Sequence, residues 1–228
     1  MKKELDFLWS GEEFKTRRHY NPWDSHLIRM TYGEAKLLNK YCKKAKQGIL
    51  EIGRFFGGST YLLVASSPEN IPVLSVDLKN YIQIYKKPSD VPHRIDALKG
   101  AYSSDNYVKV VNYIDKAQQD KKLTLLDIDS KKLKLKEDYD VIFIDGDHSY
   151  TGVKNDVEKV LRPSTKYIIL HDYFEKSGRP AEASSNDWSK WVKAYDGVKN
   201  CVDELISQNI CKILGKADTM IALEYIKK

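Results

Sequence analysis

The residues best suited to chemistry fall in three places along the chain. Ile144-Asp145-Gly146-Asp147-His148-Ser149-Tyr150 sets two carboxylates and an imidazole within four positions, and Leu170-His171-Asp172-Tyr173 adds another of each. Both follow short apolar runs. Carboxylates suit Mg²⁺, Ca²⁺ or Mn²⁺, and an imidazole shifts the choice toward Mn²⁺ or a later transition metal. Asp145, His171 and Asp172 therefore read as a candidate divalent-metal site. Singly, each has a plainer use. Asp147 can cap the helix opening near Ser149, His148 can be an ordinary exposed histidine, and His171 a satisfied strand-end one. Their joint placement at two strand ends favours a site.

The third place is Glu51-Ile52-Gly53-Arg54-Phe55-Phe56-Gly57-Gly58-Ser59-Thr60, a strand, a tight turn and a helix start. A helix N-terminus offers unpaired N–H groups and the positive end of a dipole, so such a loop cradles an anionic ligand group. A dinucleotide fingerprint fails because its second glycine falls on Phe55; a phosphate-binding Walker loop fails because no lysine precedes Ser59-Thr60. What remains is E-x-G-x-x-x-G followed by Asp77, an acid placed to accept hydrogen bonds from ribose hydroxyls.

These residues need elements to hold them. Thr31-Tyr32-Gly33-Glu34 is a capping box, and Leu37, Leu38, Tyr41, Cys42 and Ala45 share the face of the helix it opens. Strands are expected at 49–52, 72–76, 123–126, 139–144 and 167–170, with helices over 59–66, 105–119 and the segment from Tyr150 to Leu161. A last helix spans 187–207, interrupted at Gly197. Two closing strands fall near 210–214 and 220–226, joined by Gly215-Lys216-Ala217-Asp218. Alternating strands and helices predict an α/β fold, a Rossmann-like doubly wound, mostly parallel sheet with a C-terminal antiparallel edge hairpin. Such sheets bind ligands at the carboxyl ends of their strands. Residues 1–30 read as an irregular lead-in, 31–228 as one domain, and 78–122 and 173–190 as substrate-side insertions, with loops at 80–104 and 173–190.

Composition narrows the function. The chain has 228 residues, 42% hydrophobic and 31% charged, which excludes a mostly disordered polymer. The longest apolar run, Tyr61 to Ala65, is too short to span a bilayer. The first residues place no apolar core after their lysines and do not read as a signal peptide. Cys42, Cys201 and Cys211 form neither a C-x-x-C pair nor an even framework, as expected of reduced thiols in the cytoplasm. The net charge of +6 is spread over short lysine clusters separated by acids, which argues against dedicated nucleic-acid binding.

With Ile49-Leu50-Glu51-Ile52-Gly53 through Gly57-Gly58-Ser59-Thr60, and Phe143 through Tyr150 with Val153, Asp156 and His171-Asp172-Tyr173, the chain resembles class I S-adenosylmethionine-dependent methyltransferases. Within them it is similar to the macrocin and rhamnosyl O-methyltransferases and the cephalosporin hydroxylase group. The resemblance covers roughly residues 31–175. It implies that Glu51, Gly53, Gly57 and Ser59 lie along the methionine part of the donor, that Asp77 holds the ribose, and that Asp129 and Ser130 meet the adenine. It also implies that Asp145 and Asp172 bind a metal, Mg²⁺ or Mn²⁺, with His171 beside them. Two features depart from the pattern: Arg162-Pro163-Ser164-Thr165 replaces the usual Lys-Pro-Gly-Gly turn, and the segment from Leu78 to Lys122 is long.

The expected activity is metal-assisted O-methylation of a hydroxylated small molecule, a sugar or secondary metabolite. Asp145 and His148 would be catalytic, with Asp147 or His148 as proton acceptor. No membrane partner is expected, and a homo-oligomer stays open. Three other readings stand beside it: a metal-independent methyltransferase of RNA or an amine, a non-catalytic donor-binding module, and a metal-dependent hydrolase.

Overall fold

The computed structural model describes residues 28, 30–79, 105–174 and 188–226. The elements are α1 (Tyr32–Cys42), β1 (Ile49–Ile52), α2 (Gly58–Ser66), β2 (Val73–Asp77), α3 (Asp105–Gln119), β3 (Leu123–Asp127), a 3₁₀ turn (Ser130–Lys132), β4 (Val141–Ile144), α4 (Tyr150–Val160), β5 (Tyr167–Leu170), α5 (Trp188–Ser207), β6 (Cys211–Ala217) and β7 (Met220–Tyr225). The expected lead-in, apart from residues 28 and 30, and the loops over 80–104 and 175–187 lie outside the described residues.

One seven-stranded sheet runs in the order β3-β2-β1-β4-β5-β7-β6. β1 to β5 are parallel, whereas β7 pairs antiparallel with β5 and β6 antiparallel with β7. The fold is the expected Rossmann-like one. β1, β4 and β5 are buried along their whole length, as strands covered on both faces must be. Their side chains alternate between two cores. Ile49, Val141, Phe143 and Ile169 pack with α1, α2 and α3. Leu50, Ile142, Ile144 and Ile168 pack with α4 and α5.

The closing hairpin differs from expectation. β6 runs to Ala217 and pairs it with Met220, so the turn is Asp218-Thr219 rather than a four-residue link from Gly215. Gly215 sits where the register shifts, a bulge within the strand. Asp218 takes the turn's left-handed conformation at φ 47°. The helix α5 also runs unbroken through Gly197. A Cβ there would lie 2.3 Å from His148 O and Tyr150 N. The glycine lets the helix backbone rest directly on the turn after β4; it does not interrupt the helix.

Candidate active site

The strand order reverses between β1 and β4, and the crevice at their carboxyl ends is where open α/β sheets bind ligands. Gly53 makes this crevice narrow. Its φ is +94°, and a Cβ would fall 2.1 Å from Asp145 O. No other residue fits both the left-handed backbone and the contact. The glycine loop therefore lies directly against the turn that carries Asp145.

Glu51 faces inward and is fully buried. Its carboxylate accepts from Ser59 Oγ at 2.5 Å, Thr60 Oγ1 at 2.6 Å and Ser75 Oγ at 2.5 Å. It thus joins β1, β2 and the first turn of α2. Burial raises its pKa to about 7, against the three hydroxyls and the Arg54 charge. The helix above it opens at Gly58 after the N-cap residue Gly57, φ 86°, which has no side-chain cap, so its first amides are not taken by a capping side chain.

Asp77 closes β2, and its Oδ2 accepts from the backbone N–H of Arg54 and of Phe55, both at 2.8 Å. The Arg54 side chain is 0% exposed and runs beneath this contact, donating to Ser75 O at 2.9 Å and pairing with Asp127. Asp127 stands beside Asp77 in the β2–β3 register, so a cation there relieves two neighbouring carboxylates. Asp129 caps the 3₁₀ turn by accepting from Lys131 N at 2.9 Å. Ser130 hydrogen-bonds the buried Asp156 carboxyl, whose pKa is raised chiefly by burial.

Beyond β4 and β5 the structure draws Asp145, His148 and Asp172 together, with one ligand atom from each inside a 4.8 Å span. His148 Nε2 lies 3.4 Å from Asp172 Oδ2. The Asp172 backbone is left-handed at φ 57°, a strained conformation that asparagine and aspartate tolerate best. Asp147 accepts from Ser149 N at 2.9 Å and braces the turn, while Ser149 caps α4 by accepting from Gly152 N.

His171 is set deeper, at 6% side-chain exposure. Nδ1 is 3.2 Å from Asp145 Oδ1 and 3.6 Å from Asp172 Oδ1. It makes no aligned hydrogen bond, so these contacts are electrostatic. Nε2 faces Glu34 Oε2 at 3.4 Å. Burial alone would lower the His171 pKa; Asp145 and Asp172 outweigh it and hold the ring well above the usual histidine value. Burial pushes Glu34 upward, but His171, Thr219 and Thr31 bring it below the ordinary carboxylate value.

Sequence reasoning placed Glu34 only in a capping box, and that box is present. Its link to His171, and the Arg54–Asp127 pair, join residues 137 and 73 positions apart. The glycine inside the helical pattern at 197 was the one local sign that α5 approaches the turn before α4.

No curated protein matches the chain in sequence. Solved structures do match in fold. The SAH-bound methyltransferase PaMTH1 of Podospora anserina aligns at 12% identity over 85% of this chain and 78% of that one, with TM-score 0.57. An O-methyltransferase of Bacillus cereus in complex with SAH aligns at 16% identity over 87% and 82%, with TM-score 0.52. The O-methyltransferase TomG of Streptomyces achromogenes, involved in tomaymycin synthesis and bound to SAM, aligns at 12% identity over 87% and 82%, also with TM-score 0.52. These identities speak for the fold. The model of a methyltransferase domain matches residues 50–173, more than half of the chain and all of the crevice described above. By that match the chain belongs to the methyltransferase-domain family.

Proposed function

We propose that the protein transfers a methyl group from S-adenosylmethionine to a hydroxyl of a small molecule, with a divalent cation assisting. The observation that carries this is the gathering of Asp145, His148 and Asp172 across the crevice from the glycine loop. The donor's carboxylate is read at the uncapped start of α2, near Gly57 and Ser59. Its ribose is read at Asp77 and its adenine at Asp129 and Ser130. Glu51 supports that floor from below through Ser59 and Thr60. The SAH and SAM complexes of the neighbours support this choice of donor.

Two carboxylates and an imidazole suit Mg²⁺ or Mn²⁺. One donor atom from each of Asp145, His148 and Asp172 lies within 4.8 Å of the others, so the three side chains would hold such an ion together. The buried His171 Nδ1, without an aligned hydrogen bond, faces the same carboxylates. The residues present fit the group. When bound, the cation would lower the pKa of the acceptor hydroxyl. The chain's residues do the rest. Asp145 and Asp172 hold the acceptor end of the crevice, and the glycine loop holds the donor within attacking distance, where proximity supplies much of the acceleration. His148 serves here as a ligand rather than as the proton acceptor, because its Nε2 already stands with the carboxylates. His171 serves beneath them rather than among the ligands. Three buried, unpaired cysteines support a cytoplasmic setting, and no helix among the described residues is long and apolar enough to cross a membrane.

The test is calorimetric titration with S-adenosylmethionine, first with EDTA and then with Mn²⁺. One-to-one donor binding is expected in both. Asp77→Ala should weaken it, and Asp145→Ala should leave it intact while abolishing methyl transfer to hydroxylated acceptors. Absence of donor binding in every condition would refute the methyltransferase reading of the site. Loss of donor binding in Asp145→Ala would refute the division into donor and cation halves.

A further inference from the structure

We propose that Glu34 is a positioning residue for the cation site, acting through His171 and through the closing hairpin. This rests on the cation reading above.

A capping box needs Glu34 only to reach back to the Thr31 N–H, which it does at 2.6 Å. Capping does not require burial, yet Glu34 is 1% exposed, and a buried carboxylate is costly unless other partners compensate it. Those partners lie far away in sequence. Oε1 accepts from Thr219 N at 2.8 Å and Thr219 Oγ1 at 2.7 Å. Oε2 faces His171 Nε2 at 3.4 Å.

Two routes run from Glu34 to Asp172. In the first, Glu34 holds the Nε2 edge of the imidazole, which aims the Nδ1 edge at Asp145 and Asp172. The ring is held from both edges, by Glu34 at Nε2 and by Asp145 and Asp172 at Nδ1, so moving Glu34 moves the edge that meets the carboxylates. In the second, Glu34 fixes Thr219, and Thr219 O accepts from Tyr173 N at 2.7 Å, pinning the backbone just after the left-handed Asp172. Hydrogen-bonding partners behind a metal's ligands fix how those ligands point, and here a carboxylate stands behind an imidazole that faces two of them. The Glu34–His171 contact is buried and the Glu34–Thr219 contacts are partly buried, where such contacts are stronger than in water.

The experiment is Mn²⁺ affinity by calorimetry and by the Mn²⁺ electron paramagnetic resonance signal, read beside thermal midpoints. Glu34→Gln keeps a residue that completes a capping box but removes the charge facing His171. Its Mn²⁺ affinity should fall by about 10-fold or more. Glu34→Asp, which sets the charge one methylene further from His171, should fall between the variant and wild type, and decides the matter if Glu34→Gln does not fold. Asn39→Ala removes a buried hydrogen bond from α1 to Ser66 but leaves Glu34, His171 and the hairpin turn in place, so it should lower the midpoint and keep Mn²⁺ affinity. Unchanged Mn²⁺ affinity in the Glu34 variants, or losses that merely follow the midpoint in all three, would overturn the proposal. Wild type that binds no Mn²⁺ would overturn the cation reading and this proposal with it.

Discussion

Gly197→Ala sets two known effects of opposite sign against each other. In an exposed helix interior the change stabilises by about 0.8–1 kcal/mol, because alanine loses less backbone entropy than glycine. Here the new Cβ would lie 2.3 Å from His148 O and from Tyr150 N, and 2.6 Å from Ser149 C. All three are backbone atoms of the turn entering α4, so no side chain can swing aside. Ordinary contact begins at 3.4 Å, so α5 must retreat from the turn by about 1 Å. Overpacking of this kind costs roughly 1–3 kcal/mol and exceeds the helix-propensity gain. The expected net loss is about 1 kcal/mol, read as a lower urea midpoint with an unchanged slope. The same retreat moves His148 relative to Asp145 and Asp172. Mn²⁺ affinity and methyl transfer should therefore fall even at temperatures where the variant is fully folded. A Gly197→Ala protein that is more stable than wild type and binds Mn²⁺ normally would refute the reasoning, since it would mean that the helix does not rest on the turn.

Glu51 sets a pH dependence. Its carboxyl is raised from 4.5 to about 7 in the folded protein. Below about pH 4.5 both states are protonated and no penalty exists; between about 4.5 and 7 the unfolded chain releases a proton that the fold retains, and stability falls; above 7 the penalty is constant. The difference in stability between wild type and Glu51→Gln should therefore shift in the variant's favour by about 3 kcal/mol from pH 4 to pH 8, measured by urea unfolding; a pH-independent difference would contradict the burial argument. On the surface, Lys154 pairs with Glu204 at 2.9 Å and also reaches Tyr150. Because the pair is solvated, Lys154→Ala should leave the thermal midpoint unchanged within error, and a large drop would show that α4 and α5 depend on that contact.

Much of this protein is legible from local pattern. The apolar runs expected as strands at 139–144 and 167–170 form, the first over Val141–Ile144, both buried on both faces, and the glycines and acids that follow them lie at the carboxyl edge of the sheet. The Thr31–Glu34 cap is written in four consecutive residues, and it forms. Local chemistry sufficed there because each pattern is satisfied within one turn or one strand. The hairpin was less legible: Gly215 reads as a turn residue, but pairing across β6 and β7 absorbs it as a bulge and moves the turn to Asp218-Thr219.

The placement of the two histidines was decided only by the tertiary structure. His171 and Asp172 are neighbours in the chain, and that adjacency suggested one ligand group. At a strand end successive side chains diverge, so His171 goes beneath the edge to Glu34 while the left-handed Asp172 turns its carboxylate toward His148. Both imidazoles reach the carboxylates, His171 from beneath with Glu34, 137 residues away, at its other edge, and His148 from the turn on which α5 rests. Sequence alone specified which residues reach the edge of the sheet, because strand period and turn chemistry are local. Packing between distant elements specified which of them meet.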